Sequence, residues 1–360
     1  YGNGYVGENE NPRSASPTLR TIIGGGSEEI DCLEPIPADP HALNICEPEG
    51  LALSEDGGLF VSLRRNYAII RYDLETETLE TVAGNQDENT ENSRDDGPAL
   101  DVNLFYPYAL TSDGENGFYM SEIYGFIIRH YTPGATLEEG LLTNIGGFPR
   151  FGYQDGPVHE SNFYYPGGMA IFTDPDTGED TLYVADTGYD ILRKVEGGYT
   201  STLAGDPHQY SESGSGDGGL AIDADLAWVK DVAVDGFGIV YILTNETIRR
   251  IRDGYIETLT GAGDREDYLE PMTAPEAKLN SPNSIAISDD GSALYIAEAN
   301  LIRVLRNPAG RDAVIEPYIG NGEAGSVVDG ADLLETPLDP KNLFWRDGEL
   351  LFGNTSPTQV

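Results

Sequence analysis

The chain is poor in positive charge. It carries 21 Lys and Arg against 62 Asp and Glu, a formal net charge of −41. A surface this negative repels phosphate backbones and anionic lipid heads, which argues against nucleic acid as a partner. It suits salty surroundings, and it attracts divalent cations or cationic partners. Long hydrophobic runs are also missing. No stretch of about 18 apolar residues occurs, so no transmembrane helix is expected. Cysteine is scarce, with Cys32 and Cys46 alone and no CxxC spacing, which removes dithiol redox chemistry and a thiolate zinc cluster. The four histidines, His41, His130, His159 and His208, show no HxH or HxxxH spacing. There is no GxSxG, HExxH, Walker-type or EF-hand loop.

What is abundant is turn chemistry. Glycine (44) and proline (22) punctuate the whole chain, and tyrosine (21) outnumbers phenylalanine (11). A glycine signature recurs as TIIGG, TVAGN, TNIGG, TLAGD, LTGAG and YIGNG, aligned on Gly24, Gly84, Gly146, Gly205, Gly261 and Gly320. The spacing is about 60 residues throughout, the mark of one supersecondary unit built repeatedly.

Three further registers follow each glycine. A proline opens an apolar run at Pro48, Pro107, Pro166, Pro282 and Pro340, with Val229 in its place in the fourth unit. Next come LFVS, FYMSE, LYVAD, VYILTN, LYIAE and LLFGN, then the pairs Ile70-Arg71, Ile128-Arg129, Leu192-Arg193, Ile248-Arg249 and Ile302-Arg303. Four short runs per unit, split by Asp-Gly, Gly-Gly and Asn-Gly turns, predict an all-β repeat of strands a to d without long helices.

The ends suggest how the ring closes. Residues 18–24 read as a strand d with nothing before it, while the last unit shows strands a and b only. Pairing the two removes exposed sheet edges. The expectation is a six-bladed β-propeller of four-stranded antiparallel blades over 18–360, closed by the N-terminal strand at about 18–24. Residues 1–17 form a polar arm or linker. The glycine signature, the Asp-Gly that follows it (Asp96-Gly97, Asp155-Gly156, Asp217-Gly218, Asp329-Gly330) and LYVADTGYDILRKV at 182–195 resemble the NHL-repeat family of β-propellers. That resemblance implies a central channel, and it fixes no single activity.

Function is expected on the face formed by the d–a and b–c loops. The longest insertions, 25–47, 85–103, 206–224 and 262–281, are all d–a loops, and long loops on a rigid scaffold commonly carry binding. His41, His159 and His208 fall on that face. Strand a opens with Glu49, Tyr108, Gly167, Lys230-Asp231, Asn283 and Lys341-Asn342. Glu49, Asp231, Asn283 and Asn342 would converge on the channel mouth with oxygens that suit Ca²⁺, although Lys230 and Lys341 oppose a cation. This set is similar to the gluconolactonase and regucalcin group, in which Glu, Asn and Asp at strand starts hold a catalytic metal.

The strand b ends, Glu122, Asp186, Thr244, Glu298 and Asn354, read as caps of the b–c turn. The recurring arginines read as structural partners of neighbouring blades.

The leading functional reading is an exported, non-catalytic binding module for a protein, glycan or small ligand, with a secreted, periplasmic or cell-surface location. One alternative is a calcium-dependent hydrolase or lactonase using Glu49, Asp231, Asn283 and Asn342. A second is a structural domain of a larger surface assembly. An opening at Tyr1 with no hydrophobic leader is what a processed exported protein would show.

Cys32 and Cys46 share one loop, and a bridge between them would add about 3 kcal/mol in the chain-entropy model. Intact mass is therefore expected to rise by about 2 Da on reduction, and an unchanged mass would remove the disulfide.

Overall fold

The computed structural model describes residues 19–23, 48–85, 96–147, 151–208, 214–346, 348–355 and 358–359. The arm at 1–17, Cys32, Cys46 and His41 lie outside the described residues.

Five antiparallel sheets form blades in which strands a to d lie in sequence order from the inside outward. Blade 1 is Pro48–Leu53, Gly58–Leu63, Ala68–Asp73 and Thr78–Ala83. Blade 2 is Pro107–Ser112, Phe118–Glu122, Ile127–Thr132 and Leu141–Gly146. Blade 3 is Pro166–Thr173, Asp180–Asp186, Ile191–Glu196 and Tyr199–Ala204. Blade 4 is Asp231–Val234, Val240–Leu243, Ile248–Arg252 and Tyr255–Thr260. Blade 5 is Ser284–Ile287, Ala293–Glu298, Leu301–Arg306 and Val314–Ile319.

Blades 2, 3 and 5 gain a fifth strand because the d–a loop folds back along the outer edge. Gly97–Pro98, Gly156–Pro157 and Met272–Thr273 each pair with strand d of the blade that the loop leads into.

This corrects the expected six four-stranded blades. Among the described residues there are five blades of four or five strands, and the last sheet holds Pro340–Arg346, Glu349–Thr355 and Thr358–Gln359. Its third strand comes from the C-terminal side, not from an N-terminal closure strand. Residues 19–23 form no strand. They are held at this sheet by Thr21 N–H donating to Asp329 (2.7 Å) and Gly330 N–H donating to the Leu19 carbonyl (3.0 Å).

The core is divided among the spaces between sheets. Phe60, Phe118 and Met120 fill blade 1 against blade 2, and Ile128, Phe163 and Val184 fill blade 2 against blade 3. Similar clusters join blades 3 to 4, 4 to 5 and 5 to the last sheet. Ile23, Leu59 and Val61, with Phe344, join the last sheet to blade 1. Strand b is therefore covered on both faces, which explains its near-continuous apolar runs. Each fully buried Phe, Leu or Ile in these seams is worth roughly 1.5–3 kcal/mol.

The glycine signature has a local cause. Gly84, Gly205, Gly261 and Gly320 have φ of 91°, 91°, 98° and 110°, and a methyl group on any of them would crowd the backbone of the b–c turn. In the third signature the residue in this position is Gly147 (φ 94°), not Gly146 as the sequence alignment has it. Only glycine takes that conformation so close to another backbone without strain.

The arginine register also needs correction. Arg129, Arg193, Arg249 and Arg303 are buried. They bind within their own blade instead of reaching to a neighbour. Arg193 donates to Asp186 (3.0 Å), Asp155 (2.6 Å) and the carbonyls of Asn162 and Gln154 (2.9 Å each). Arg249 donates to Asp217 (2.6 Å) and the carbonyls of Asp225 (2.8 Å) and Ser215 (3.1 Å). Arg129 bonds Glu122, and Arg303 bonds Glu298 and the Lys278 carbonyl.

Arg71 sits one residue out of step. Ile70 occupies the equivalent position in blade 1, with Leu63 where blades 2, 3 and 5 have a carboxylate. A one-residue offset reverses the side chain's face. Arg71 instead pairs with Asp56 (3.0 Å) and Asp73 (3.3 Å).

Blade 1 thus shows what an apolar pair does in the same place. Removing one partner of a buried ion pair typically costs about 3–5 kcal/mol, while replacing both by apolar groups is often neutral. Arg193→Ile is expected to lose that amount in urea unfolding, and Asp186→Leu with Arg193→Ile to recover most of it. A single-variant loss under about 1 kcal/mol would contradict the buried-pair account.

Candidate functional site

Strand a of blades 1, 2 and 3 and of the last sheet carries a register shift just after its proline. The residues inside the shift are Glu49-Gly50, Tyr108-Ala109, Gly167-Gly168 and Lys341-Asn342. A bulge re-aims side chains out of the ladder, here toward the channel. The cavity there has a volume of about 430 Å³, and Glu49, Tyr108, Lys230, Asp231, Asn283 and Asn342 all line it. Gly167 is not among the lining residues, and its neighbour Gly168 is.

These groups are already engaged. Glu49 accepts from Arg64 (3.1 Å). Asp231 accepts from Val232 N–H (2.9 Å), Ile285 N–H (2.9 Å) and the Ser284 hydroxyl (2.8 Å). It therefore bridges blades 4 and 5. A methyl group on Gly168 would overlap Asp231, so that glycine makes room for it.

Ser62 plays a similar part, accepting from Gly50 N–H (2.7 Å) and donating to the Tyr108 carbonyl (2.6 Å). Ser121 joins Ala109 N–H (3.1 Å) to the Gly167 carbonyl (3.1 Å). The Asn342 amide donates to the Pro48 carbonyl (3.3 Å), and Lys230 donates to the Pro282 carbonyl (2.9 Å).

The predicted oxygens are brought to one cavity, but the set does not fit a resident Ca²⁺ ion. A hard cation asks for six to eight oxygens. Here one of two carboxylates is ion-paired, the other is satisfied by three donors, and the Lys230 ammonium also lines the cavity. Among the described residues no group of three or more His, Cys, Asp or Glu side chains is placed to hold a metal. His159 lies exposed beside Glu160 (3.8 Å), while His208 packs on the Tyr153 ring at 5.9 Å.

Sequence reasoning missed the other feature of this face. Three of the strand b carboxylates bond the incoming d–a loop, a role that the turn-cap reading did not include. Glu122 accepts from Phe105 N–H (2.7 Å), Asp186 from Tyr164 N–H (2.8 Å) and Glu298 from Asn280 N–H (2.7 Å). Asn354 accepts from Asp339 N–H in the same way (2.6 Å), and Thr244 bonds the turn, at Thr247 N–H (3.1 Å). The bonded loop residue precedes Tyr106 (φ 55°), Tyr165 (φ 56°) and Ser281 (φ 50°) in blades 2, 3 and 5. A positive φ at a bulky residue is unusual and must be held by its surroundings.

The held turns present the doublets Phe105-Tyr106 and Tyr164-Tyr165. With residues of the b–c turns they make an unbroken row of rings. Tyr67 meets Tyr106 (5.5 Å), Tyr106 meets Tyr124 (5.0 Å), and Tyr124 meets Tyr165 (5.5 Å). Tyr165 meets Tyr164 (4.3 Å), Tyr164 meets Tyr189 (5.6 Å), and Tyr189 meets Tyr153 (5.9 Å). Phe126 and Phe151 pack alongside. The Arg64 guanidinium lies 5.6 Å over Tyr106 and 6.0 Å over Tyr124, linking the row to Glu49 at the channel mouth. Tyr124 and Phe151 are 37% and 65% exposed. The available signal was an aromatic doublet directly before a strand a proline in two consecutive units.

No family model matches the chain. Teneurin-3 of Mus musculus is 27% identical over 244 residues, covering 60% of this chain and 8% of that protein. Teneurin-m of Drosophila melanogaster is 27% identical over 233 residues, covering 61% and 8%. The chain thus spans about 8% of the length of these relatives.

Among solved structures, a protein of unknown function from Bacteroides thetaiotaomicron superposes with a TM-score of 0.63 at 15% identity, covering 95% of this chain and 74% of that one. A virginiamycin B lyase from Staphylococcus aureus superposes with a TM-score of 0.50 at 14% identity, covering 88% and 94%. The fold is a β-propeller built from repeats, and teneurins are among the proteins the chain is similar to in sequence.

Burial raises the Asp231 carboxyl from 3.8 to about 6, against the pull of its bonds from Ile285, Ser284 and Val232. The folded state then holds this proton more tightly than the unfolded chain does. Stability from this group is present below about 4 and is lost as pH rises to about 6. In urea unfolding, the stability of wild type relative to Asp231→Asn is expected to fall across that window and stay level above it. A flat difference would show that the buried carboxyl does not titrate there.

Proposed function

We propose that the chain is a non-catalytic binding module whose ligand lies on the face of the d–a and b–c loops. The observation that supports this most is the aromatic row across blades 1 to 3. Its rings stand on turns fixed by buried ion pairs, so the surface is preorganised. Preorganised, partly exposed aromatics supply contact area at low entropic cost. Glu49, Lys230, Asp231 and Asn342 at the channel mouth already bond other protein groups, which supports a structural role for them over a metal-dependent hydrolase.

The teneurin match, confined to a small part of far longer proteins, supports a module within a larger chain. The acidic surface and the bridge expected between Cys32 and Cys46 support an exported location. Protein, glycan and small-molecule partners are all compatible with the face, and nucleic acid is not.

The test is an array of glycans and peptides probed with wild type and two variants. The first is Tyr124→Ser with Phe151→Ser, and the second is Phe237→Ser. Phe237 is 79% exposed on an a–b turn at the opposite face. Specific spots are expected to vanish with the first variant and persist with the second. The reverse pattern, or an array with no specific spots, would overturn the proposal.

A further inference from the structure

The outer edge of the last sheet is unpaired over most of its length. Thr358–Gln359 pairs only with Asn354 and Thr355. In blades 3 and 5 strand c pairs with six residues of strand b. Among the described residues nothing pairs with Leu350, Leu351 or Phe352 on that side. These three are half-buried, whereas strand b of blades 1 and 5 is buried throughout. They line a cavity of about 490 Å³, which Leu19, Arg20 and Thr21 also line.

The equivalent places in other blades show what this cavity fits. In blades 2 and 3 the Asp of the Asp-Gly turn accepts a strand d N–H, Asp96 from Asn144 (2.6 Å) and Asp155 from Thr202 (3.0 Å). Asp329 accepts from Thr21 N–H likewise (2.7 Å). Asp155 and Asp217 each also take the strand c arginine, at 2.6 Å. Among the described residues no Lys or Arg pairs with Asp329. Asn354 stands where blades 2 and 3 have a carboxylate. Blade 4 has the neutral Thr244 there, and its Arg249 takes Asp217.

The local charge favours a cation as well. Residues 320–339 hold Glu323, Asp329, Asp332, Glu335 and Asp339, with no Lys or Arg. Arg20 and Arg346 line the cavity with Glu349, and Arg346 already donates to the Leu53 carbonyl (2.8 Å).

Strand c of blades 2 to 5 has an arginine followed two residues later by an apolar residue, as Arg129 with Tyr131, Arg193 with Val195, Arg249 with Ile251 and Arg303 with Leu305. An Ile or Leu precedes each arginine. The chain has no spare copy outside the described residues, where Arg13, Arg94 and Arg150 follow Pro12, Ser93 and Pro149.

We propose that this edge binds a strand of a partner protein, antiparallel to Glu349–Gly353, with an arginine opposite Phe352 and an apolar residue opposite Leu350. Main-chain bonds along the edge supply affinity, and the pairing of arginine with Asp329 supplies selectivity. The site shares no residue with the aromatic row, and its failure leaves that reading untouched.

The probe is a peptide copied from Leu192–Gly198 of this chain, LRKVEGG, titrated into the full chain while hydrogen exchange is followed at Leu350–Phe352. Saturable slowing at these amides is expected. The half-saturating concentration should rise at least about tenfold for the peptide carrying Arg193→Leu, the loss expected for a charged hydrogen bond. The same rise is expected for the chain carrying Asp329→Asn, which keeps an oxygen for Thr21 N–H. No slowing at millimolar peptide would overturn the proposal, as would equal binding of the two peptides. Amides at Leu350–Phe352 that exchange as slowly without peptide as those of Leu182–Val184 would show an edge covered from within the chain, and would overturn it too.

Discussion

In blades 3 to 5 a buried guanidinium is the point where three segments of chain meet. It leaves strand c, reaches the end of strand b or the Asp-Gly turn, and takes carbonyls of the incoming d–a loop. Arg193 does all three, with Asp186, Asp155, Asn162 and Gln154 as its partners. A charge buried this deeply is tolerable only when its donors are met, so the loop cannot move without exposing the cost. The same carboxylate then holds a loop N–H just before strand a, at Phe105, Tyr164 and Asn280. In blades 2, 3 and 5 the carboxylate thus holds the loop beside a left-handed turn, and in blades 2 and 3 that turn sets out the aromatic doublets; blade 4 takes the same turn at Trp228 (φ 53°) with Thr244 in place of the carboxylate. Blade 1 shows that the ladder itself does not need this pair, since Leu63 and Ile70 fill the place with hydrocarbon.

The channel follows a separate logic. Its polar groups stitch one blade to the next through Ser62, Ser121, Asp231 and Ser284. Each sits where the innermost strands converge and space is tightest, which is why Gly50 and Gly168 stand opposite them. The Asp231 carboxylate that looked like a ligand in the sequence accepts from two backbone N–H groups and a serine hydroxyl, and Glu49 accepts from Arg64. A satisfied buried carboxylate rigidifies a structure, and it has little left to offer a cation or a substrate.

Much of the blade architecture was legible because strands a to d repeat with their turns, and the LYVAD-type run marks strand b in every unit. What failed was registration by one residue. Ile70-Arg71 looks like Leu192-Arg193 as a string, yet its arginine faces the other side of the sheet. Leu63, where other units carry Glu or Asp, was the cue that the partner was missing. Gly146 and Gly147 posed the same problem, since only the conformation says which of two adjacent glycines does the work. The closure at 18–24 failed for a different reason. Strand propensity suggested a strand, but residues 19–23 are held by two bonds to Asp329 and Gly330 and build no ladder. The aromatic row was invisible because its members come from five separate loops and turns.

The central claim is that the buried arginine–carboxylate pair shapes the aromatic face. A crystal structure of Asp186→Leu with Arg193→Ile tests it most directly. The account predicts an intact blade 3 ladder, with Tyr165 leaving its positive φ and the ring row broken between Tyr124 and Tyr189. An unchanged turn and an unbroken row in that variant would contradict it.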